Sequence, residues 1–241
     1  MIPFLVVFGA WFFQSVTGFG AGIFIIGIFS LFYNPKMVIV SSALFNLFGT
    51  LSLVYQNRKG KIDFYLLSSL ILGSVPGIYL GAYTLERINS RELMLVIGLF
   101  ITALGLYDLA VGKGWIRLRI SRHMGVPMGF LGGFFAGLVG MGGPPPLVFL
   151  IQHVKDPSSV RLMLNLYFTS NILFRLSFYE HMKVISLDMA FVLSGLMGLL
   201  LGIFLGGLFS KRISPESYRL GMSYVVIALG FVLLILLHNR A

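Results

Sequence analysis

Two glycine clusters are the residues of this sequence best suited to bind a ligand. Their members are Gly18, Gly20, Gly22, Gly140, Gly142 and Gly143. Each cluster lies near the middle of an apolar stretch, where an irregular backbone is tolerated only if it is buried in protein or lines a wet cavity. Each therefore predicts a break after which a second half-helix begins, with free N–H groups and the positive end of the helix dipole. Such an end favours an anion.

The sequence around the two clusters is duplicated. Segment 18–22, followed by Asn34, returns as segment 140–144, followed by Asp156, at an offset of 122 residues. Farther along the chain, matching residues stand 125 apart. Duplicated halves in an apolar chain are typical of secondary transporters, which bind substrate near the bilayer midplane at the repeat interface. We therefore expect the substrate to bind between the two half-helix N-termini.

The glycines admit a second interpretation, because small residues also let membrane helices pack closely. Their repetition at equivalent positions favours the broken helices over packing alone. Three prolines, 144–146, follow the second cluster directly. Proline is tolerated in the first turn of a helix, where its missing N–H removes no intrahelical hydrogen bond. The prolines thus agree with a half-helix that begins there.

Neutral polar side chains follow each cluster in the next apolar span. The first copy carries Ser41, Ser42, Asn46 and Thr50, and the second carries Asn165, Thr169, Ser170 and Asn171. Hydroxyl and amide donors suit an oxyanion, whereas a metal cation would require carboxylate or carbonyl oxygens. Gln14 and Thr17 precede the first cluster and are further candidates for substrate contact. The alternative is that these groups hold helices together through interhelical hydrogen bonds.

Arg175 is the basic residue that falls inside an apolar span, one helical turn after Asn171. It lies in the last third of that span, so the simpler interpretation is that its side chain reaches the membrane interface. The alternative is that it attracts the substrate into the protein. Asp156 and Glu180 are the nearby candidates for an acidic partner.

The composition indicates the class of protein in which these residues lie. The chain has 241 residues, is 57% hydrophobic and only 11% charged, and has a mean hydropathy of +0.93. We predict an all-α, multi-pass membrane protein in a lipid bilayer, with a first repeat at 1–112, a basic cytoplasmic linker at 113–125 and a second repeat at 126–241. Its apolar spans are approximately 4–33, 37–55, 64–85, 93–111, 126–153, 162–179, 187–209 and 218–237.

The first span of each repeat is about 30 residues long, more than one untilted crossing of the hydrocarbon core needs. If each of these stretches crosses once, the loop cations divide 8 against 9 between the two sides. If each instead enters and returns as a helical hairpin, they divide 5 against 12, as the positive-inside rule requires. We favour the hairpin, which makes the repeats inverted and places the Arg58 to Lys61 and Lys155 to Arg161 loops in the cytoplasm.

Several chemistries are not expected from this composition. The chain has no cysteine and four scattered histidines, so we expect no metal and no cofactor. The net charge of +10 resides in short loops and reports membrane topology instead of a nucleic-acid partner. All eight acidic residues fall at or beyond span ends, so no carboxylate is expected to relay protons through the membrane.

The duplicated Gly-x-Gly-x-Gly and Gly-x-Gly-Gly-Pro clusters, each followed by Asn-Pro or Asp-Pro and then a polar-bearing span, resemble the sulfite exporter TauE/SafE family over nearly the whole chain. The resemblance implies an inner-membrane permease for small anions, with sulfite, sulfoacetate and sulfonates among the family's substrates. It maps the family's two glycine motifs onto the two clusters. Prolines 144–146 depart from the family's pattern, in which a third small residue is common.

Two classes of function remain at this stage. The first is an anion permease, either for sulfur oxyanions or for another organic anion. The second is a membrane-embedded enzyme or scaffold that uses the cavity for a lipid or a partner helix. An enzyme would need a nucleophile with a base, or a metal cluster, at membrane depth, and the spans carry neither. We therefore expect a permease and no enzyme, working as a monomer or as a homodimer.

Overall fold

The computed structural model describes residues 2–17, 20–113, 115, 119–184, 187–209 and 215–238, and throughout these segments the regular structure is helical. The α-helices are, in chain order, α1 Ile2–Thr17, α2 Ala21–Phe29, α3 Pro35–Gln56, α4 Phe64–Arg87, α5 Ser90–Gly112, α6 Gly125–Val139, α7 Pro144–His153, α8 Pro157–His181, α9 Met189–Phe209 and α10 Pro215–His238. A single 3₁₀ turn, Arg122–Met124, precedes α6. The all-α prediction is confirmed.

Long apolar helices make this a multi-pass membrane protein. Among the described residues, α3, α4, most of α5 and most of α9 are long and apolar enough to cross a bilayer. Their outer faces expose large apolar side chains, such as Leu72 at 69% and Phe204 at 65% of full exposure. Side chains of this kind need lipid and not water around them.

The first predicted break separates α1 from α2, and the chain turns back on itself there. Gly20, which precedes α2, has a φ of 113°, in the left-handed region that glycine adopts without strain. The rings of Phe13 and Phe24 lie 5.4 Å apart between centroids. Residues 11 apart in one continuous helix would be separated by about 16 Å. The two helices therefore form a hairpin.

The second predicted break separates α6 from α7 in the same way. Gly140 ends α6 with a φ of 72°, again left-handed. A Cβ atom added at Gly125, where α6 begins, would lie 3.2 Å from the ring of Phe149 near the end of α7. The chain thus doubles back along its own path. Both stretches are broken and hairpin-shaped, as predicted, and their re-entry into a membrane stays a prediction.

The helices group into two compact units, each with segments from both halves of the chain. Unit 1 comprises Met1–Val38, Ile88–Leu118 and Leu193–Ala241, and unit 2 comprises Ile39–Arg87 and Arg119–Val192. Unit 1 thus holds α1, α2, α5, α10 and most of α9, whereas unit 2 holds α4, α6, α7, α8 and most of α3. The units interleave the two proposed repeats, and the predicted repeat boundaries stay a prediction.

Unit 2 is built on direct backbone contact between α4 and α6. Three glycines of α4 face carbonyl oxygens of α6, namely Gly73, Gly77 and Gly81 against Val126, Phe130 and Phe134. Three glycines of α6 face carbonyls of α4 in return, namely Gly129, Gly133 and Gly137 against Leu70, Ser74 and Ile78. A side chain at any of these positions would collide with backbone. Small residues thus let the two helices approach as closely as membrane helices can, with Cα–H groups directed at carbonyls.

Unit 1 contains a related contact between α9 and α1. Three glycines of α9 face carbonyls of α1, namely Gly198, Gly202 and Gly206 against Phe4, Phe8 and Phe12. The α9 glycines stand 125 residues after those of α4, and the α1 carbonyls stand 122 residues before those of α6. The glycine-to-carbonyl contact of unit 2 therefore recurs in unit 1. Its glycines follow one offset of the sequence repeat and its carbonyls follow the other.

Substituting Gly77 by alanine tests the backbone contact in unit 2. The added Cβ would collide with the Phe130 carbonyl, so we expect the free energy of unfolding to fall by about 1–3 kcal/mol. Gly9→Ala is the matched control, because no atom lies within 4 Å of a Cβ built at Gly9. That change should be neutral or stabilise the helix by up to about 1 kcal/mol. Thermal unfolding of both variants in the same detergent would decide, and equal melting temperatures would contradict the contact.

Candidate functional site

The glycine break of unit 1 presents the N-terminus of α2. The N–H of Ala21 donates to Oε1 of Gln14 at 2.9 Å, and the N–H of Ile23 donates to the carbonyl of Gly20 at 3.0 Å. Gln14 was predicted to contact substrate, and the structure gives its side chain the role of capping α2. Gly22 lies in the first turn of α2. Gly18 and the side chain of Thr17 lie outside the described residues.

The glycine break of unit 2 differs, because prolines occupy the first turn of α7. Gly143 precedes the helix, and the first intrahelical hydrogen bond there runs from the N–H of Leu147 to the carbonyl of Gly143 at 3.1 Å. Prolines 144–146 have no N–H, so the free donors of a normal N-terminus are missing there. The dipole of α7 still favours an anion. The second half-helix can therefore attract an anion through its dipole, but not through N–H groups of its first three residues.

Gly142 is fixed by packing and not only by the break. It is buried, and a Cβ added to it would collide with the carbonyl of Gly132 in α6. A Cβ at Gly132 would in turn lie 2.5 Å from the hydroxyl of Tyr167. The second cluster therefore lies directly against α6, and α8 contributes a tyrosine at the same level.

A buried polar stripe on α8 faces α6. It contains every fourth residue of α8 from Tyr167 onward: Tyr167, Asn171, Arg175 and Tyr179. Three of these side chains donate to backbone carbonyls of α6: Tyr167 to Gly129 at 3.2 Å, Arg175 Nη1 to Ala136 at 3.1 Å and Tyr179 to Gly137 at 2.6 Å. We name these four residues the α8 ladder. Sequence reasoning missed its two tyrosines, although their four-residue spacing from Asn171 and Arg175 was a usable signal.

Arg175 does not reach the membrane interface. Its side chain is only 3% exposed and holds the last turn of α6, so the interfacial interpretation is wrong. Neither expected acidic partner pairs with it. Asp156 caps the far end of α8, 19 residues away, and Glu180 is exposed. Asp63 instead forms an ion pair with Arg122.

The α8 ladder contains hydrogen-bonding atoms without partners. Nε of Arg175 and both side-chain amide atoms of Asn171 are buried and make no hydrogen bond. Asn171, like Arg175, is 3% exposed. Buried polar groups of this kind are rare, because each costs about 1–3 kcal/mol when left unpaired. A polar ligand would gain the most binding free energy in this part of unit 2, because it would supply the missing hydrogen-bonding partners.

The remaining predicted residues lie mainly on another face of α8, toward α3. The hydroxyl of Thr169 donates to that of Thr50 at 3.0 Å, which joins the two helices. Asn165 donates to the carbonyl of Arg161 at 2.7 Å, while its side-chain oxygen is buried without a partner. This contact is the one that the interhelical interpretation expects, and substrate contact by Thr50 and Thr169 stays a prediction.

The other residues of the predicted set have partners near and far in the chain. Ser42 and Ser170 donate to carbonyls of their own helices at 3.2 Å and 3.0 Å. Ser41 accepts from the N–H of Asp188 at 3.1 Å, and Asn46 is buried in α3. The set predicted as one cavity lining is thus divided between the α3 and α6 faces of α8, and only Asn171 and Arg175 share the ladder.

Three basic loops meet at one end of unit 2. The N–H of Lys61 donates to the hydroxyl of Ser159 at 2.8 Å, and that of Ile120 donates to Gln152 Oε1 at 2.8 Å. The cations gathered there are Arg58, Lys59, Lys61, Arg119, Arg122, Lys155 and Arg161. A single crossing by 126–153 would put the loops of Lys61 and Ser159 on opposite sides of a core about 30 Å thick. Their contact contradicts that folding and agrees with the hairpin.

Asp156, at this basic end, forms the cap that begins α8. Its carboxylate accepts from the hydroxyls of Ser158 and Ser159, both at 2.6 Å, and from the N–H of Ser159 at 2.9 Å. These hydrogen bonds, that of the Ser158 side chain foremost, lower the pKa of Asp156 from 3.8 to about 2. The Asp-Pro motif of the sequence repeat is therefore a helix start, with Pro157 in the first turn.

A multi-pass bundle with two glycine-broken hairpins and a buried cation beside one break has the architecture of a membrane transporter. Comparison with known proteins agrees. The chain belongs to the sulfite exporter TauE/SafE family, whose model matches residues 3–233.

Two relatives carry names that describe transport. A probable sulfite/organosulfonate exporter TauE of Cupriavidus necator is 25% identical over 231 residues, which cover 93% of this chain and 89% of the relative. A probable membrane transporter protein YjnA of Bacillus subtilis is 31% identical over 104 residues, which cover 42% of this chain and 40% of the relative. No solved structure matches the chain. The family and both relatives are named for transport and not for an enzymatic reaction.

The cap at Asp156 predicts a pH-dependent stability. Because folding lowers the pKa, the carboxylate stabilises the fold fully above the ordinary value of 3.8, and this contribution is lost as pH falls toward about 2. Asp156→Ala should lower the melting temperature near neutral pH, and the difference from the parent protein should shrink across that window. Asn34→Ala is the control, because Asn34 also accepts from a helix-start N–H, that of Lys36, but does not titrate. A pH-independent difference for Asp156→Ala would contradict the assignment.

Proposed function

We propose that this family member exports small sulfur oxyanions, either sulfite or organosulfonates, from the cell through the membrane that it spans. The observation that carries the proposal is the pair of glycine-broken hairpins, because a half-helix that begins inside the membrane directs its positive end toward a ligand. The name of the relative from Cupriavidus necator supports sulfite and organosulfonates as the substrates. An exporter of another organic anion is the nearest alternative.

The membrane potential is the driving force that we propose. Moving one negative charge outward across an inside-negative membrane gains about 2.3 kcal/mol per 100 mV. Among the residues whose burial is described, no aspartate or glutamate is buried. A proton relay of the kind that pumps use would require such a group. A potential-driven path for the anion alone is therefore the simplest mechanism consistent with these residues.

A membrane-embedded enzyme or scaffold is the alternative of a different class. Among the described residues, no cluster of His, Asp or Glu could hold a metal ion. A scaffold would not require the same helix break twice, or the same glycine-to-carbonyl contact in α4 and α9. Both features agree better with a duplicated transporter.

The proposed orientation has the basic end of unit 2 in the cytoplasm and the two repeats inverted. Seven cations and two acids, Asp63 and Asp156, give this end an excess of positive charge. Positive loops stay on the cytoplasmic side of bacterial membranes. The recurrence of the α4–α6 contact in unit 1 supports the repeats.

Efflux from proteoliposomes tests the proposed function. Vesicles are loaded with sulfite, sulfoacetate, sulfate or acetate, and efflux is followed with and without an imposed potential. We expect potential-driven efflux of a sulfur anion that is lost in Gly20→Val, because Gly20 adopts a φ of 113° and a Cβ there would meet the Phe13 ring at 3.0 Å. Gly9→Val is the control in open space. Efflux that ignores the potential and follows only a proton gradient would overturn the mechanism, and no efflux of any anion would overturn the function.

Cysteine labelling tests the orientation, and the absence of native cysteine makes single-cysteine variants simple to interpret. Lys59→Cys and Lys155→Cys introduce thiols at exposed positions of the basic end, and His181→Cys introduces one where α8 ends. In intact cells, a membrane-impermeant maleimide should label the His181 variant and spare the other two. Labelling of the Lys59 and Lys155 variants from opposite sides would contradict the hairpin folding of unit 2.

A further inference from the structure

We infer that Arg175 and Asn171 form an oxyanion subsite within unit 2, in which one edge of the guanidinium binds two oxygens of a head group and the Asn171 amide binds a third. The inference rests on the proposed function, and it assigns part of the substrate's binding to named atoms. It also predicts a preference for head groups with three oxygens over carboxylates, which have two.

The first argument for the subsite is the charge of Arg175. A buried guanidinium stays charged and requires compensation. Its one hydrogen-bonding partner is the neutral carbonyl of Ala136, at the C-terminal end of α6. That end of the helix dipole, together with the Tyr179 ring, whose centroid lies 5.8 Å from the guanidinium carbon, stabilises a cation only partly. Among the residues whose burial is described, no carboxylate is buried that could complete the compensation, so a mobile anion is the partner that fits.

The second argument for the subsite is the geometry of the guanidinium. Nη1 is used by the Ala136 carbonyl, whereas Nε is buried without a partner. Nε shares the other edge of the planar group with Nη2, and this edge presents two parallel N–H groups. Such an edge binds two oxygens of one oxyanion in a bidentate manner. A lysine could hold the Ala136 carbonyl, but it could not supply this pair.

The third argument for the subsite is the position of Asn171. It stands one turn before Arg175 on the same face of α8, at the spacing that brings helical side chains together. Its amide nitrogen is buried and makes no hydrogen bond of ordinary geometry, with the Tyr167 hydroxyl as a more distant polar neighbour. It can therefore donate to an oxygen that the guanidinium leaves free. The hydroxyls of Tyr167 and Tyr179 already donate to α6 carbonyls on either side of this pair. They therefore fix the limits of the subsite and add no donor to it.

The competing explanation is that Arg175 is only a structural link between α8 and α6. Two variants separate these explanations. Arg175→Lys keeps the charge and can reach the Ala136 carbonyl, but it loses the bidentate edge. Asn171→Asp places a carboxylate one turn from Arg175, so it supplies an internal counter-ion and excludes the external one. A purely structural role predicts unchanged anion binding in both variants.

Binding is measured on the full chain in nanodiscs, through the shift in melting temperature as sulfite, methanesulfonate, sulfate, phosphate or acetate is added. We expect the parent protein to bind sulfite or methanesulfonate more tightly than acetate. Arg175→Lys and Asn171→Asp should each weaken that binding by roughly tenfold to a hundredfold, the value of a charge-assisted hydrogen bond. Asn171→Asp should retain or raise the melting temperature without anion. Ser177→Ala, an exposed residue of α8 that donates to its own helix, is the control and should bind as the parent does.

The outcomes separate this subsite from the proposed function. Export of sulfite with unchanged anion binding in both variants would overturn the subsite and leave the function standing. Binding of sulfate or phosphate that depends on Arg175, without binding or export of sulfite or sulfonates, would support the subsite and overturn the proposed substrate. Equal affinity for acetate and methanesulfonate would overturn the preference for three oxygens. A parent protein that binds none of the anions would overturn both.

Discussion

The need to satisfy backbone hydrogen-bonding groups away from water constrains the whole of this structure. A helix that stops inside a membrane leaves N–H and C=O groups that lipid cannot satisfy. Other parts of the protein must therefore cover each break. In unit 2, α8 contributes to this coverage by directing the guanidinium of Arg175 and the hydroxyl of Tyr179 at carbonyls in the last turn of α6. In unit 1, the side chain of Gln14 accepts from the first N–H of α2.

Close backbone packing makes this coverage possible. The glycines of α4 and α6 remove the side chains that would otherwise separate the two helices, so α4 supports the hairpin from one side. The other side of α6 remains available to α8 and α7. The glycines of α4 and α6 therefore serve helix packing, whereas Gly20 and Gly140 allow the positive φ at which the chain turns back. Sequence reasoning weighed both roles for the glycines of the two clusters, but it did not single out the glycines of α4 and α6, whose role is packing.

The sequence predicted the helical class, both breaks and the loops that share the basic end, because hydropathy, repeated glycines and loop charge report directly on membrane physics. It did not predict which face of α8 each polar residue occupies. Asn165 and Asn171 are six residues apart and were assigned to one cavity, yet Asn165 lies on the Thr169 face and Asn171 lies in the ladder. For Arg175, the sequence likewise left two directions open, toward the interface or toward a substrate. Position along a span predicts depth in a membrane, but only the packed neighbours decide direction.

The two glycine breaks differ in the polar groups that lie near them. At the 122-residue offset of the repeat, Arg175 corresponds to Leu53 and Tyr167 corresponds to Phe45, and both of these residues are buried and apolar. The first copy thus lacks the ladder, but its half-helix begins without proline and keeps its backbone N–H groups. The second copy has prolines where those donors would be, and it alone carries a buried guanidinium. Under the proposed function, a side-chain cation takes the place of the lost backbone donors, and each half of the chain has its own way of attracting an anion.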